Sequence, residues 1–562
     1  MNRLILEHVL DHEASHPDRV YLTQPLTGGQ TVDYTWKQVL DESRRMAAYL
    51  QARGLPRGAR VALLSKNCAH FFMAELAIWL GGYTTVAIFP TETADTVRYV
   101  LEHSEASLLF VGKLDTWDAQ QPGVPKALPC VALPLAPASA RAEFDTWEAI
   151  IGRTAPLAGR PERGADELAM LIYTSGSTGQ PKGVMNTFGA FSRAAEGIVA
   201  DTRQRLGDAG MERRMISYLP LAHSFERSWV EGASLVDGQT HIFFAEALDT
   251  FVKDVNRARP TLFISVPRLW LKFQQGVFAK MPPAKLDRLL SIPLLGRIVA
   301  KKVLTGLGLE QVKEAGSGSA PLPADLIRWY RRLGLPLMEG YGMTEDNSYS
   351  HRSVKGGNEP GYVGMPLPGV EVKLSPEGEV LIKSPGQFSG YYKQPDLTAA
   401  SFTEDGFFRT GDLGERRADG LLRITGRAKE LFKTAKGKYV APAPIENKLL
   451  AHPMVESCMV SGVGQPSAYA LVVPAEDLRP RLAGDTALRA QLESELAALL
   501  KRVNGEIADY EQLAMVVVAR EPWSSEAGTL TPTMKIKRSR IESQVEPKVD
   551  GWYAQKKPVV WS

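Results

Sequence analysis

The residues best equipped for chemistry stand together in Tyr173-Thr174-Ser175-Gly176-Ser177-Thr178-Gly179-Gln180-Pro181-Lys182-Gly183. Four aliphatic hydroxyls, three glycines and a lysine follow the apolar run 168–172, which reads as a buried strand. Glycines let successive backbone N–H groups turn toward one anion, hydroxyls add donors, and Lys182 supplies a mobile point charge. This is phosphate-binding chemistry. It is not the Walker form, because no Gly-Lys-[Ser/Thr] occurs and the lysine follows Pro181. A plain Ser/Gly turn is the competing reading. The strand entering and the lysine leaving favour the phosphate loop.

The elements that must carry this loop belong to a chain of 562 residues, 44% hydrophobic, too long for a single core. Strands are predicted over 60–64, 83–89 and 107–111, and helices over 4–16, 71–81 and 93–104. That alternation implies a layered α/β domain with a largely parallel sheet. The stretch 120–140, rich in proline and alanine, reads as a surface connection. Residues 261–270 read as a strand ending on a proline turn, and 271–309 as a basic, amphipathic helical hairpin. A formal HExxH pattern at His12-Glu13-Ala14-Ser15-His16 is rejected as a zinc site, because Pro17 pushes His16 out of the helical region. Net charge is +3, which gives no global field for nucleic acid. Three widely spaced cysteines, Cys68, Cys130 and Cys458, fit a reducing compartment. With no apolar run of membrane-spanning length, the expected location is cytoplasmic, with peripheral membrane contact left open. Oligomeric state is also open between monomer and homodimer.

The loop's wording resembles the signature of the acyl-adenylate-forming (AMP-binding) superfamily. Other segments fit the same family in the same order. Pro220-Leu221-Ala222-His223-Ser224-Phe225-Glu226-Arg227 and Val266-Pro267-Arg268-Leu269-Trp270 are similar to segments of long-chain acyl-CoA synthetases. Gly316-Ser317-Gly318-Ser319, Glu339-Gly340-Tyr341-Gly342-Met343-Thr344-Glu345, Thr410-Gly411-Asp412 and Gly426-Arg427-Ala428-Lys429 follow, and Leu530-Thr531-Pro532-Thr533-Met534-Lys535 lies near the C-terminus. Phe188 and Phe408 depart from the family's usual histidine and tyrosine, without touching the proposed phosphate and ribose contacts.

The resemblance implies a large α/β N-terminal domain of layered sheets and helices, residues 1–428, and a small, mobile α+β lid, residues 429–562, hinged at Lys429. It places Thr174, Ser175, Gly176, Ser177, Thr178, Gly179 and Lys182 on the phosphates of ATP. Magnesium would be held by Thr178 and Glu345, and the α-phosphate met by Thr344. Gly318, Glu339, Gly340, Tyr341 and Gly342 would form the adenine pocket, and Asp412 and Arg427 would hold the ribose. Physical chemistry agrees: a purine needs a flat face such as Tyr341, magnesium favours one or two carboxylates plus phosphate oxygens, and one carboxylate can accept from both ribose hydroxyls. His223, Trp270, Gly316 and Gly342 would line the acyl site, glycine at 342 leaving room for a medium or long chain. Lys433 and Gly437 would serve CoA in the thioester-forming pose. Lys535 is the expected catalytic lysine, with Lys537 the alternative. The implied reaction is ATP-dependent conversion of a fatty acid to its CoA thioester through an acyl-adenylate. Transfer to a carrier-protein thiol, or a non-catalytic lipid or nucleotide sensor, are the rival readings.

Overall fold

The computed structural model describes residues 3–174, 180–207, 212–353, 359–524, 527–531 and 534–562. Its largest sheet has eight strands in the order Gly390–Tyr391, Lys182–Thr187, Leu168–Thr174, Thr84–Ile88, Arg60–Leu64, Ala106–Val111, Cys130–Ala132 and Asp145–Thr146. The six strands from Leu168–Thr174 onward run parallel, and the two at the other edge turn antiparallel. The strand Thr84–Ile88 is buried at every position, as expected for a parallel strand covered on both faces. Helix Ala69–Leu80 is likewise buried at all twelve positions, because its apolar residues circle the whole helix. It sits in the main core, where Trp79 Nε1 donates to the Ala169 carbonyl at 2.9 Å.

A five-stranded sheet begins with parallel strands Leu262–Ser265, Glu314–Ser317 and Leu337–Tyr341. An antiparallel four-stranded sheet contains Phe408–Arg416 and Leu422–Arg427. Beyond them the C-terminal residues form a separate body: a short hairpin, Phe432–Lys433 with Tyr439–Val440, and a mixed sheet ordered Val455–Ser461, Ala468–Pro474, Leu513–Val518 and Val559–Trp561. Its two apolar clusters are drawn wholly from residues after 431. The fold is the expected large α/β domain with a small α+β partner.

Three expectations are corrected. The connection 120–140 contains the strand Cys130–Ala132, which pairs with Ala106–Val111; three residues are too short for a periodic signal. Pro267 does not end a strand in a turn but opens helix Pro267–Lys280, where its missing N–H costs nothing. The following stretch is then two further helices, Pro283–Leu290 and Leu295–Gly306, and no simple hairpin. The C-terminal tail packs on the small domain: Trp552 is buried, and Trp561 Nε1 donates to Glu493 at 2.6 Å.

Candidate active site

A cleft of about 790 Å³ opens at the carboxyl ends of strands Thr84–Ile88 and Leu168–Thr174, the usual place for a ligand in such a sheet. Thr174, His223, Gly318 and the run 339–345 line one side, and Asp412, Arg427, Thr531 and Lys535 the other. Strands Leu168–Thr174 and Lys182–Thr187 pair antiparallel with Thr174 opposite Lys182. The glycine-rich segment therefore joins the two strands of a hairpin instead of entering a helix. Ser175, Gly176, Ser177, Thr178 and Gly179 lie outside the described residues.

Antiparallel pairing also places Asp412 opposite Arg427. Arg427 Nε donates to Asp412 Oδ1 at 2.8 Å, and Tyr341 Oη donates to Oδ2 at 2.7 Å. The carboxylate in turn raises the pKa of Arg427. Each carboxylate oxygen keeps acceptor capacity toward the cleft. This buried acid, fixed by an arginine and a phenol, has the acceptors that a vicinal diol would need.

Glu345 lies in the turn Thr344–Asp346, which is braced by the Met343 N–H donating to Asp346 Oδ1 at 2.9 Å. Tyr391 Oη donates to Glu345 Oε1 at 2.8 Å, while Lys182 Nζ stands 5.1 Å from the centre of the Tyr391 ring. Glu345 Oε2 has no hydrogen-bond partner among the described residues. One half-satisfied carboxylate beside a phosphate-facing surface fits magnesium, which takes one or two carboxylates and draws its other ligands from water and phosphate. Burial first, and then the neighbouring Lys429, lowers the pKa of Lys182. Tyr391 escaped the sequence reading, because nothing local marks it. Only the pairing of Gly390–Tyr391 with the edge strand Lys182–Thr187 brings it in. Thr344 is buried, its hydroxyl 3.3 Å from Ser224 Oγ.

His223 caps the short helix Ser224–Glu226, its Nδ1 accepting from the Phe225 N–H at 3.1 Å. Burial, reinforced by Lys535, pushes its pKa down to about 3. The imidazole is therefore neutral with its proton on Nε2, a donor and not a base. The following Glu226 and Arg227 explain why the turn holds its shape. Glu226 accepts from Ser217 Oγ at 2.7 Å, the Tyr218 N–H at 3.1 Å and Asn67 Nδ2 at 3.2 Å. Arg227 donates to the Leu221 carbonyl at 2.9 Å and pairs with Glu75.

Lys535 comes from the C-terminal body on a tight hairpin. Its N–H donates to Thr531 Oγ1 at 3.0 Å, and its carbonyl accepts from the Thr531 N–H at 2.7 Å. The side chain is solvent-exposed by area, yet it lines the cleft, where protein groups crowd its amine. Desolvation there, together with Arg427, brings its pKa down to about 8. Lys537 does not line the cleft; it caps helix Arg538–Ala554.

The profile of the AMP-binding enzyme family matches residues 10–392, and that of the AMP-binding enzyme C-terminal domain matches residues 430–557. The chain belongs to the AMP-binding enzyme family. A long-chain-fatty-acid–CoA ligase of Mycobacterium bovis, FadD15, is 31% identical over 97% of this chain and 96% of that protein. Fatty acyl-CoA synthetase A of Dictyostelium discoideum is 29% identical over 95% of this chain and 88% of that protein. Among solved structures, the A-PCP didomain of carboxylic acid reductase from Segniliparus rugosus, in complex with AMP, shares the fold with a TM-score of 0.81. It is 23% identical, and the match covers 99% of this chain and 82% of that one.

In this AMP-binding enzyme a narrow apolar pocket adjoins the cleft, sharing Phe225, Trp229, Glu339 and Gly340 with it. Ile198, Met215, Ala233, Leu262, Ile264 and Gly316 continue its wall. Buried ion pairs, Arg213 with Asp237 and Arg352 with Glu314, also line it. Two assignments from the sequence are corrected here. Trp270 does not line the pocket: it is fully buried against Phe263 and Tyr330, because the helix opened by Pro267 turns it into the core. Gly342 belongs to the cleft, not to the apolar pocket, and a Cβ there would stand 2.8 Å from the Ser348 backbone. Its glycine is required by that close approach and says nothing of chain length. Glu339 serves as a bracket, accepting from the Leu322 N–H at 3.2 Å and the Gly361 N–H at 3.1 Å, and burial raises its pKa to about 7.

The residues expected to meet CoA lie elsewhere in this pose. Lys433 and Gly437 belong to the Phe432–Lys433/Tyr439–Val440 hairpin, which does not line the cleft, and Lys433 Nζ lies 5.5 Å from the centre of the exposed Tyr439 ring. Gly437 has φ +76°, a conformation glycine adopts without strain. Lys429 lies in the turn Ala428–Glu430 between the two bodies.

Proposed function

We propose that this protein is an ATP-dependent acyl-CoA synthetase for a medium- or long-chain fatty acid. The observation that carries this reading is the junction at Phe225 and Gly340 of an apolar pocket with a polar cleft holding Asp412, Glu345, Thr344 and Lys535. A fatty acid seated in the pocket would present its carboxylate where an ATP anchored by Asp412 and Arg427 presents its α-phosphate. Two anions must then approach one another, so cationic groups decide the rate.

A carboxylate oxygen attacks the α-phosphorus, the bond to the β-phosphate oxygen breaks, and pyrophosphate leaves with that electron pair. Lys535 is the cation placed to span the two reacting anions. Lys182 faces the outer phosphates, and the His223 Nε2–H donates at the mouth of the acyl site. Magnesium held at Glu345, with Thr178 from the loop, would neutralise phosphate charge. In the second half-reaction the CoA thiolate attacks the acyl carbon, AMP leaves, and the thiol proton passes to solvent. Lys535 lines the cleft and Gly437 does not. A rotation about Lys429, with the domains taken as 1–428 and 429–562, would exchange the first for the second.

The test measures AMP release and free-thiol loss with ATP and magnesium across acids from acetate to oleate, with and without CoA. Thiol loss equal to AMP and confined to acids longer than acetate is expected. AMP release without thiol loss would reassign the acceptor to a carrier protein, and silence with every acid would overturn the proposal.

A further inference from the structure

Away from the cleft, the helices Pro283–Leu290 and Leu295–Gly306 form a projecting tip with an unusual surface. The second helix has two working faces. Gly296, Ala300 and Leu304 are buried inward, and Gly296 approaches so closely that a Cβ would meet the Leu290 carbonyl oxygen at 2.5 Å. The outward face carries Leu295 and Ile298 at helical spacing, and Ile292 and Leu294 precede them in the connecting turn. All four are exposed, Leu294 by 73% and Ile298 by 65%. Leu294 has φ +64°. A leucine held in that region at the apex of a turn is strained, and the neighbouring glycine packing leaves the tip little freedom to relax it.

The charges around this apolar tip are one-sided. Between residues 285 and 302 stand Lys285, Arg288, Arg297, Lys301 and Lys302, all exposed, against one acid, Asp287. Asp287 is already paired with Arg332 at 2.6 Å, whereas none of the five cations has an ion pair among the described residues. Many surface arginines of this chain are paired internally, Arg57, Arg141 and Arg417 among them. Lys301 and Lys302 sit one turn beyond Ile298 on the same outward side. An apolar wedge ringed by uncompensated cations matches an anionic bilayer surface: the side chains enter the acyl boundary while the cations meet lipid headgroups.

We propose that the tip 291–302 docks this enzyme on anionic lipid bilayers. The surface requires nothing of the reading of the active site and would stand if that reading fell.

The test is co-sedimentation of the full chain with vesicles of phosphatidylcholine alone or mixed with phosphatidylglycerol, at low and high salt, for the wild type, Leu294→Asp/Ile298→Asp and Lys301→Glu/Lys302→Glu. Wild type is expected on the mixed vesicles at low salt and to be released by salt, with a loss of about tenfold or more in partitioning for either double variant. Both pairs are exposed, so the free protein should melt no lower than wild type. Absence of wild-type binding, equal binding to neutral vesicles, or unaltered binding of the variants would each overturn the proposal. So would concentration-dependent self-association without vesicles that the leucine–isoleucine variant abolishes, which would assign the tip to a second copy of the chain.

Discussion

With Lys535 as the bridging cation, adenylation should fall on the alkaline side at an unusually low pH. Its amine titrates near 8, so the charge is present below that value and lost above it. A single proton lost with this midpoint leaves roughly 90% of the lysine charged at pH 7 and roughly 10% at pH 9. If the ammonium must bridge carboxylate and α-phosphate, kcat/KM for the adenylation half-reaction should drop about tenfold across that interval, since kcat/KM reports the free enzyme's ionisations. ATP–pyrophosphate exchange at sub-saturating acid and ATP, followed from pH 6.5 to 10, reads it directly. Lys535→Arg should lower the rate, because a planar fork replaces a point charge, yet abolish the alkaline limb, because guanidinium stays protonated. Lys182→Arg is the control, as burial also lowers the pKa of Lys182. An alkaline limb identical in wild type and Lys535→Arg would refute the assignment of Lys535 as the bridging cation.

Tyr391→Phe removes the phenol that donates to Glu345. A hydrogen bond to a charged group is worth about 1.5–3 kcal/mol, so kcat at limiting magnesium should fall at least tenfold and the magnesium needed for half-maximal rate should rise. Gly316→Val projects a side chain into the apolar pocket, where the first atom a Cβ meets is Ile264 Cγ2 at 3.5 Å. Hexanoate should remain a substrate while decanoate and longer acids lose roughly tenfold or more in kcat/KM, a change read by AMP release.

Residues whose partners lie across a strand pair were the most legible in the sequence. The motifs at Asp412 and Arg427 each suggested a sugar contact, and antiparallel register joins them. The glycine-rich loop announced itself by composition, but whether a strand or a helix followed it depended on the sheet edge. The resemblance put Lys535 ahead of Lys537, but the letters alone carry no direction for either side chain. Only the hairpin closed by Thr531 aims the first into the cleft and leaves the second at a helix start. Trp270 misled because the direction of a side chain depends on whether Pro267 ends a strand or begins a helix. Gly342 misled because a glycine required by a neighbouring backbone looks, in sequence, like one that leaves room for a ligand.

The helix Pro267–Lys280 meets the C-terminal domain through Arg268 to Glu456 at 2.7 Å, Lys272 to Glu476 at 3.1 Å and Gln275 to the Pro453 carbonyl at 3.4 Å. Exposed pairs of this kind are worth about 0–1 kcal/mol each and weaken with salt. The apolar clusters of the C-terminal domain are drawn from its own residues and remain covered when such contacts part. Parting these contacts therefore hands water a set of charges it solvates well and leaves both of those apolar clusters covered. Turnover and resistance to aggregation need not compete in this protein, and ionic strength becomes a handle on how often the catalytic domain lets go.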